Sequence, residues 1–486
     1  MRVLHVCTEI YPLLKTGGLA DVAAALPPAL IKAGCDVRML VPGFPAIRTG
    51  IRTQKLLMEL PSRFGSGPIR LYYGQLAESG IGAYVIDAPG LYDRSGNPYA
   101  DADNHAYPDN YRRFALLGWM AARLAAGLDA SWRPQVVHGH DWHAGLAPAY
   151  MKAAQLSSGR KLAGSVFTIH NLAYQGLFSR EVFGELDLPG AFYGIDGMEF
   201  YHQISFMKAG LFYSDKISTV SPTYAREIQQ QEQGCGLDGL LHHRRDDLRG
   251  ILNGVDPAVW NPATDPMIAN HFDKDSLVGK LANKTALQLA TGLAVQNEAP
   301  LFGIVSRLTE QKGLHLVLAG LPELLRRGGQ IMVLGNGDGA LELAFRDAAL
   351  AHPESIAVHI GYNEQLSHRV IAGSDAILVP SRFEPCGLTQ LYGLKYGTLP
   401  LVNRVGGLAD TVVDCSLENL AEASATGFVF EQFNLDAYLT AIRRAFALYE
   451  RADEWRQVQQ CAMTQEFNWD TAAQEFLTLY RAVAVD

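Results

Sequence analysis

Lys15-Thr16-Gly17-Gly18-Leu19-Ala20-Asp21 finds an echo far down the chain in Arg404-Val405-Gly406-Gly407-Leu408-Ala409-Asp410. Each copy reads as a cation, paired glycines and the start of a helix, and each follows a strand-like run. Glycine lets a backbone approach a ligand closely, and amides at a helix N-terminus can hold anionic or polar oxygens. Two such loops predict two similar domains presenting them to one ligand. The surrounding rhythm agrees. Strand-like runs at Val3 to Cys7, Asp36 to Val41, Ala83 to Asp87, Pro134 to His138, Ser165 to His170 and Lys216 to Ser221 alternate with helical stretches, which predicts an α/β fold with a parallel, doubly wound sheet. After Asn253-Gly254-Val255-Asp256 the chain reads as polar and irregular to about Pro300. Strands then restart at Leu301 to Ser306, Gln330 to Leu334, Ile356 to Ile360, Ala376 to Pro380 and Leu399 to Val402. We expect two Rossmann-like domains, residues 1–255 and 256–465, with ligands beyond the strands' carboxyl ends in an interdomain cleft.

The bulk numbers support that division and narrow the partners. A chain of 486 residues exceeds the size at which one core usually stops growing, so domains of roughly 200 to 250 residues are natural. With 41 basic and 50 acidic residues the net charge is −9, which disfavours nucleic acid as a partner but admits a neutral polymer. Six scattered cysteines without a C-x-x-C pair argue against a disulfide framework or a cysteine zinc site. Arg2 to Cys7 is too short for a signal peptide's apolar region, and no apolar run approaches the roughly 20 residues of a membrane span. A cytoplasmic protein without a membrane partner is expected.

Four stretches carry candidate chemistry. Lys15 with Gly17 and Gly18 could bind a diphosphate through a mobile charge, close backbone and a helix end, or could be an ordinary turn with a solvated lysine. In Ser306-Arg307-Leu308-Thr309-Glu310-Gln311-Lys312-Gly313, Arg307 and Lys312 are placed to converge on phosphate oxygens and stabilise a departing nucleoside diphosphate; the bland alternative is a surface charge pair. No Walker A pattern occurs. Pro380-Ser381-Arg382-Phe383-Glu384-Pro385-Cys386-Gly387-Leu388-Thr389 presents a carboxylate before a helix start, so Glu384 can accept from sugar hydroxyls or serve only as a helix N-terminal charge. Lastly, His138-Gly139-His140-Asp141-Trp142-His143 and Thr168-Ile169-His170-Asn171 invite a zinc reading. Their histidines fall on a strand-to-helix turn and do not match H-E-x-x-H, so no metal is expected; Asp141 and His170 read better as surrounding a sugar, with Trp142 in the core. Gly335-Asn336-Gly337-Asp338-Gly339 lacks the full dinucleotide spacing, which leaves a nucleotide-facing turn or a plain loop and disfavours a dehydrogenase.

Together these stretches closely resemble the bacterial glycogen synthases and plant starch synthases over essentially the whole chain. The likeness also runs through Thr168-Ile169-His170-Asn171-Leu172-Ala173-Tyr174-Gln175-Gly176, Phe206-Met207-Lys208-Ala209-Gly210, Ser221-Pro222-Thr223-Tyr224, Ile251-Leu252-Asn253-Gly254-Val255-Asp256 and Glu384-Pro385-Cys386-Gly387-Leu388-Thr389-Gln390. The resemblance implies a GT-B glycosyltransferase that retains anomeric configuration without a metal or other cofactor. It implies transfer of glucose from ADP-glucose to the non-reducing end of an α-1,4-glucan such as glycogen, with the acceptor on the first domain and the donor on the second. A helix over residues 466–486 is expected, by the same analogy, to cross back to the first domain. His170, Asp141, Arg307, Lys312 and Glu384 are the implied catalytic residues. Lys15, Gly17, Gly18, Asp21 and Asn171 are implied in substrate binding, as are Cys386, Gly387, Leu388 and Thr389. Asn403 and Val405 stand where family members commonly carry Arg and Thr. A transferase with another acceptor, or a catalytically silent glucan-binding protein, are the rival readings.

Overall fold

The computed structural model describes residues 1–77, 79–103 and 105–485. They divide into two units, Met1–Gly254 joined by Trp469–Asp486, and Val255–Asn468.

In the first unit the strands are β1 (Arg2–Val6), β2 (Asp36–Pro42), β3 (Ile51–Leu60), β4 (Ile69–Leu76), β5 (Gly82–Asp87), β6 (Val136–His140), β7 (Gly164–Ile169), β8 (Leu177–Ser179), β9 (Glu199–Phe200), β10 (Gln203–Ser205), β11 (Lys216–Thr219) and β12 (Leu248–Gly250). The main sheet runs β12-β11-β7-β6-β1-β2-β5-β4-β3, and β8-β10-β9 form a small separate sheet. Val3, Leu4 and Val6 of β1 are wholly buried, as a strand covered on both faces requires. The sheet is doubly wound and parallel as expected except at one edge, where β4 runs antiparallel to both β3 and β5. A hairpin connection suffices for such strands, whereas a parallel pair needs a long crossover. Most of β3 is exposed, so it carries no buried apolar run, and its Arg52, Lys55 and Glu59 charge an edge that would otherwise invite pairing.

The second unit holds β13 (Leu301–Val305), β14 (Gln330–Gly335), β15 (Ile356–Ile360), β16 (Ala376–Val379), β17 (Leu399–Asn403) and β18 (Phe428–Phe430), ordered β15-β14-β13-β16-β17-β18 and parallel throughout. The stretch before Pro300 is irregular only in part: residues 255–277 and 292–300 form turns and loops as expected, but between them lies the helix Val278–Thr291. That helix turns Lys280, Asn283, Lys284 and Gln288 inward and leaves Val278 and Leu289 exposed, the reverse of an ordinary amphipathic face. Lys284 is matched by Asp375 at 2.7 Å, and Lys280 donates to Thr398 at 2.6 Å.

The last helix, Trp469–Val483, packs in the first unit, where Trp469, Phe476 and Tyr480 share a core with Leu26, Leu30, Val136 and Val166. Gly164 is needed there, since a Cβ would lie 2.3 Å from the Val483 carbonyl oxygen. Strand order reverses direction about β1 in one sheet and about β13 in the other, and ligands of doubly wound sheets gather at such switch points. Among the described residues no helix is long and apolar enough to cross a membrane.

Candidate active site

In the second unit the chain leaves β13 at Ser306-Arg307 and leaves the adjacent β16 at Pro380-Ser381. The two exits are stitched together. Arg382 N donates to the Gln311 carbonyl at 2.8 Å, and Gly313, in the left-handed region with φ 69°, lies so close to Pro380 that a Cβ would be 1.9 Å from its oxygen. This seam brings Lys312 Nζ to 2.6 Å from Glu384 Oε2, with Ser381 Oγ donating to the same oxygen at 2.7 Å. Glu384 is only 5% exposed, and its other oxygen remains to accept from a hydroxyl. Arg307 is exposed at this carboxyl end of the sheet. Its loop is held by Gly335-Asn336-Gly337, because Leu308 N donates to Asn336 O at 2.8 Å and a Cβ on Gly335 would meet Ser306 O at 1.9 Å. The weak dinucleotide look-alike is thus a brace for the Arg307 loop.

Cys386 is buried, and Gly387 turns left-handed with φ 72° before the helix Thr389–Lys395, whose preceding residue is Leu388. Thr389 Oγ1 donates to Val305 O at 3.2 Å, tying that helix start to β13. Gln390 donates to the carbonyls of Cys386 and Gly387 at 3.0 and 2.7 Å.

The two glycine-pair loops prove different. Among the described residues, Gly17's chain neighbours aside, none lies within 4 Å of a Cβ placed on Gly17, so close approach is left to something else. Gly406 and Gly407 are demanded by packing, with added Cβ atoms 1.9 Å from the Glu384 oxygen and 2.1 Å from the Cys386 oxygen. Arg404 pairs with Glu431 at 2.6 Å, and Asn403 donates to Ser381 O at 2.9 Å. The second copy is therefore a buttress behind Glu384. We expect Gly406→Ala, which also meets a φ of 45°, to lower stability by more than about 1 kcal/mol and to cut transferase activity by displacing residues 384–386. A urea midpoint and initial rate equal to wild type would refute this.

In the first unit Lys15 pairs with Asp21 at 3.0 Å and lies over the Tyr11 ring. Two of the loop's amides are already engaged within the chain. Thr16 N and Gly17 N donate to Glu9 Oε2 at 2.6 and 3.3 Å, Thr16 Oγ1 donates to Glu9 Oε1 at 2.6 Å, and Tyr99 OH also donates to Glu9. Gly18 opens the helix Gly18–Lys32. Glu9 was invisible in the sequence because a lone Glu after a strand carries no spacing signal.

Asp141 begins a short helix at the end of β6 with φ 57°. Its carboxylate accepts from His170 N at 2.8 Å and Asn171 N at 3.3 Å, so the ends of β6 and β7 are joined. Asn171 Oδ1 in turn accepts from Ala173 N at 3.0 Å. Burial pushes the Asp141 carboxyl up to about 7, opposed by those two amides and aided by the Glu9 charge. Burial holds His170 down at about 3, so a neutral imidazole stands beside a carboxyl that titrates near neutrality. Trp142 packs edge-on to Phe114 at 5.0 Å, against the core as expected.

Residues 2–243 match the family described as starch synthase catalytic domain, and residues 291–460 the family described as glycosyl transferases group 1. A glycogen synthase of Francisella philomiragia is 62% identical over 481 residues, covering 99% of each chain; that of Francisella tularensis subsp. novicida is 60% identical over 482 residues, again covering 99% of each. The chain belongs to the glycogen synthase family. Its fold superposes with a TM-score of 0.89 and 30% identity on the catalytic domain of starch synthase IV from Arabidopsis thaliana bound to ADP and acarbose, over 99% of each chain. Sucrose-phosphate synthase from Thermosynechococcus elongatus shares the fold alone, at a TM-score of 0.57 and 16% identity. As a glycogen synthase the chain is a retaining GT-B glycosyltransferase. This family placement supersedes the silent-binder reading, and it matches a carboxylate and a cation built into one seam rather than scattered over the surface.

Proposed function

We propose that this glycogen synthase is a cytoplasmic enzyme that transfers glucose from ADP-glucose to the non-reducing end of an α-1,4-glucan, with the second unit holding the donor and the first the acceptor. The observation that carries the proposal is the Lys312–Glu384 pair at 2.6 Å, next to the exit of β13 that bears Arg307. A neutral glucan gives no reason to gather cations around a carboxylate, whereas a sugar diphosphate needs both. ADP as the base partner is supported by the ADP-bound starch synthase relative.

In this reading Arg307, Lys312 and Lys15 offset the charge on the diphosphate as it leaves. Glu384 Oε1 accepts from a glucose hydroxyl, and the residues from Cys386 to Thr389 border the same sugar. His170, Asp141 and Asn171 contact the transferred glucose, with Gly17, Gly18 and Asp21 shaping the loop that carries Lys15. Retention follows from front-face substitution. The bond from the anomeric carbon to the phosphate oxygen breaks with its electron pair leaving on ADP; the acceptor hydroxyl oxygen bonds to that carbon from the same side; and its proton passes to the departing phosphate. No resident metal or cofactor is assigned a step.

Purified protein incubated with labelled ADP-glucose or UDP-glucose and glycogen tests this directly. Label should enter polymer from ADP-glucose well above UDP-glucose. Equal incorporation would remove the base assignment, and none from either would remove the activity.

A further inference from the structure

Four imidazoles of the first unit stand in single file. His170 Nε2 is 3.0 Å from His140 Nδ1, and His140 Nε2 is 3.0 Å from His5 Nδ1. Next, His5 Nε2 is 3.3 Å from the Tyr480 hydroxyl, which is 2.7 Å from His138 Nδ1. His138 Nε2 then meets Thr168 Oγ1 at 2.6 Å, and Thr168 Oγ1 meets Ser218 Oγ at 2.6 Å. The file starts at the half-buried His170 and ends at the fully buried Ser218. Burial keeps all four rings neutral, their basicity well below the ordinary histidine range.

A neutral imidazole has one N–H and one lone pair. Each ring using both nitrogens must therefore donate on one side and accept on the other; the Tyr480 and Thr168 hydroxyls could accept from both neighbours, but only by leaving their own buried proton unused, so full satisfaction requires the whole file to run in one direction. Suppose the protons point inward from His170. Thr168 then donates to Ser218, and the buried Ser218 proton finds no acceptor among the described residues, an arrangement folded proteins avoid. Suppose instead they point outward. Ser218 donates to Thr168, Thr168 to His138 Nε2, His138 Nδ1–H to Tyr480, Tyr480 to His5 Nε2, His5 Nδ1–H to His140 Nε2 and His140 Nδ1–H to His170 Nε2. Every buried donor is then used, and the single N–H left over is on His170 Nδ1. Nitrogens of His5, His138 and His140 also lie within 4.8 Å of one another, as a metal site would require, but an ion there would have to break the links of the file.

We infer that this file sets His170 as the Nδ1–H tautomer, giving the enzyme a neutral hydrogen-bond donor toward the reacting sugar, and that Tyr480 on the last helix is the positioning residue that holds the setting. The inference rests on the proposed contact of His170 with glucose. It assigns work to His5, which lies in an apolar strand with no motif around it, and to a helix far away in sequence.

Neutron diffraction from crystals of the deuterated full chain, or ¹⁵N spectra of histidine-labelled enzyme, reads the protonated nitrogen directly. His5, His138, His140 and His170 should all carry hydrogen on Nδ1 and none on Nε2. A proton on Nε2 of His5, His138 or His140, or a metal ion among these rings, would overturn the setting. In Tyr480→Phe, His170 should divide between tautomers while kcat falls at least about threefold and the KM for ADP-glucose stays unchanged. Wild-type tautomers and kcat in that variant would overturn the role of Tyr480. Ser218→Ala should leave all four tautomers in place, because Thr168 still donates to His138; a reversal would refute the file's logic. Full transfer by His170→Ala would instead overturn the placement of His170 at the sugar, a failure separable from the tautomer result.

Discussion

Lys312→Ala is expected to lower glucose incorporation by roughly 10²- to 10³-fold, the loss typical of removing one donor aimed at developing charge. Part of the damage is structural. Glu384, 5% exposed, would keep only Ser381 as a partner, and a nearly buried carboxylate that loses its cation costs about 1–3 kcal/mol. The two effects can be separated by a double variant, Lys312→Met with Glu384→Gln, in which neither charge remains. Its urea midpoint should recover toward wild type while incorporation stays lost. If Lys312→Ala transferred glucose at the wild-type rate, or if the double variant regained activity, the pair would be a structural ion bridge and the donor site would lie elsewhere.

Asp141→Asn should make the protein more stable at alkaline pH and less active. The native carboxyl titrates at about 7, against 3.8 for an ordinary aspartate. The sign follows from proton counting. Between those values the unfolded chain has released this proton and the folded chain retains it, so stability from this group is full below pH 3.8, falls as pH rises, and is lost once pH passes about 7. Each pH unit in that window removes about 1.4 kcal/mol. Asparagine keeps an oxygen for the amides of His170 and Asn171, carries no charge to desolvate, and tolerates the left-handed φ of 57° better than most residues. The gain over wild type should therefore be larger at pH 8 than at pH 5 by about 2–3 kcal/mol. Urea unfolding at the two pH values decides it; a difference that did not change with pH would mean that Asp141 is ionised throughout. A stabilising change that costs activity is what a strained functional position gives.

What could be read before the fold was known followed the ordinary correspondence of apolar runs with buried strands. Ile331 to Leu334 are buried as an unbroken hydrophobic run, and Val3, Leu4 and Val6 as apolar residues flanking His5; the central strands of both large sheets were legible from such runs, whereas β4, β12 and β18 were not. Two further misses have the opposite chemistry. The strand β3 is exposed along most of its length, and the helix Val278–Thr291 hides lysines and amides while exposing aliphatics, so neither shows the pattern its geometry normally produces. In the site, Lys312 and Glu384 were findable because each sits in a long motif at a strand exit. Glu9, Ser381 and His5 were not: Glu9 and Ser381 act through loop contacts to Thr16, Gly17 and Glu384 that leave no spacing signal, and His5 meets His138 and His140 only because β1 lies beside β6. The glycine echo was visible, but sequence alone did not distinguish the open Gly17 from the tightly packed Gly406.

The first unit is built from two separated segments, Met1–Gly254 and Trp469–Asp486, the second from one uninterrupted segment. On a ribosome, all of residues 255–468 are made before the earlier-made sheet receives the helix Trp469–Val483. Until Trp469, Phe476 and Tyr480 emerge, Leu26, Leu30 and Val166 lack part of their cover, leaving an apolar surface of the kind that chaperones shield. The lobe translated first thus cannot complete its core until the helix Trp469–Val483 has been made, and the tyrosine of that helix also touches the histidine file leading to His170.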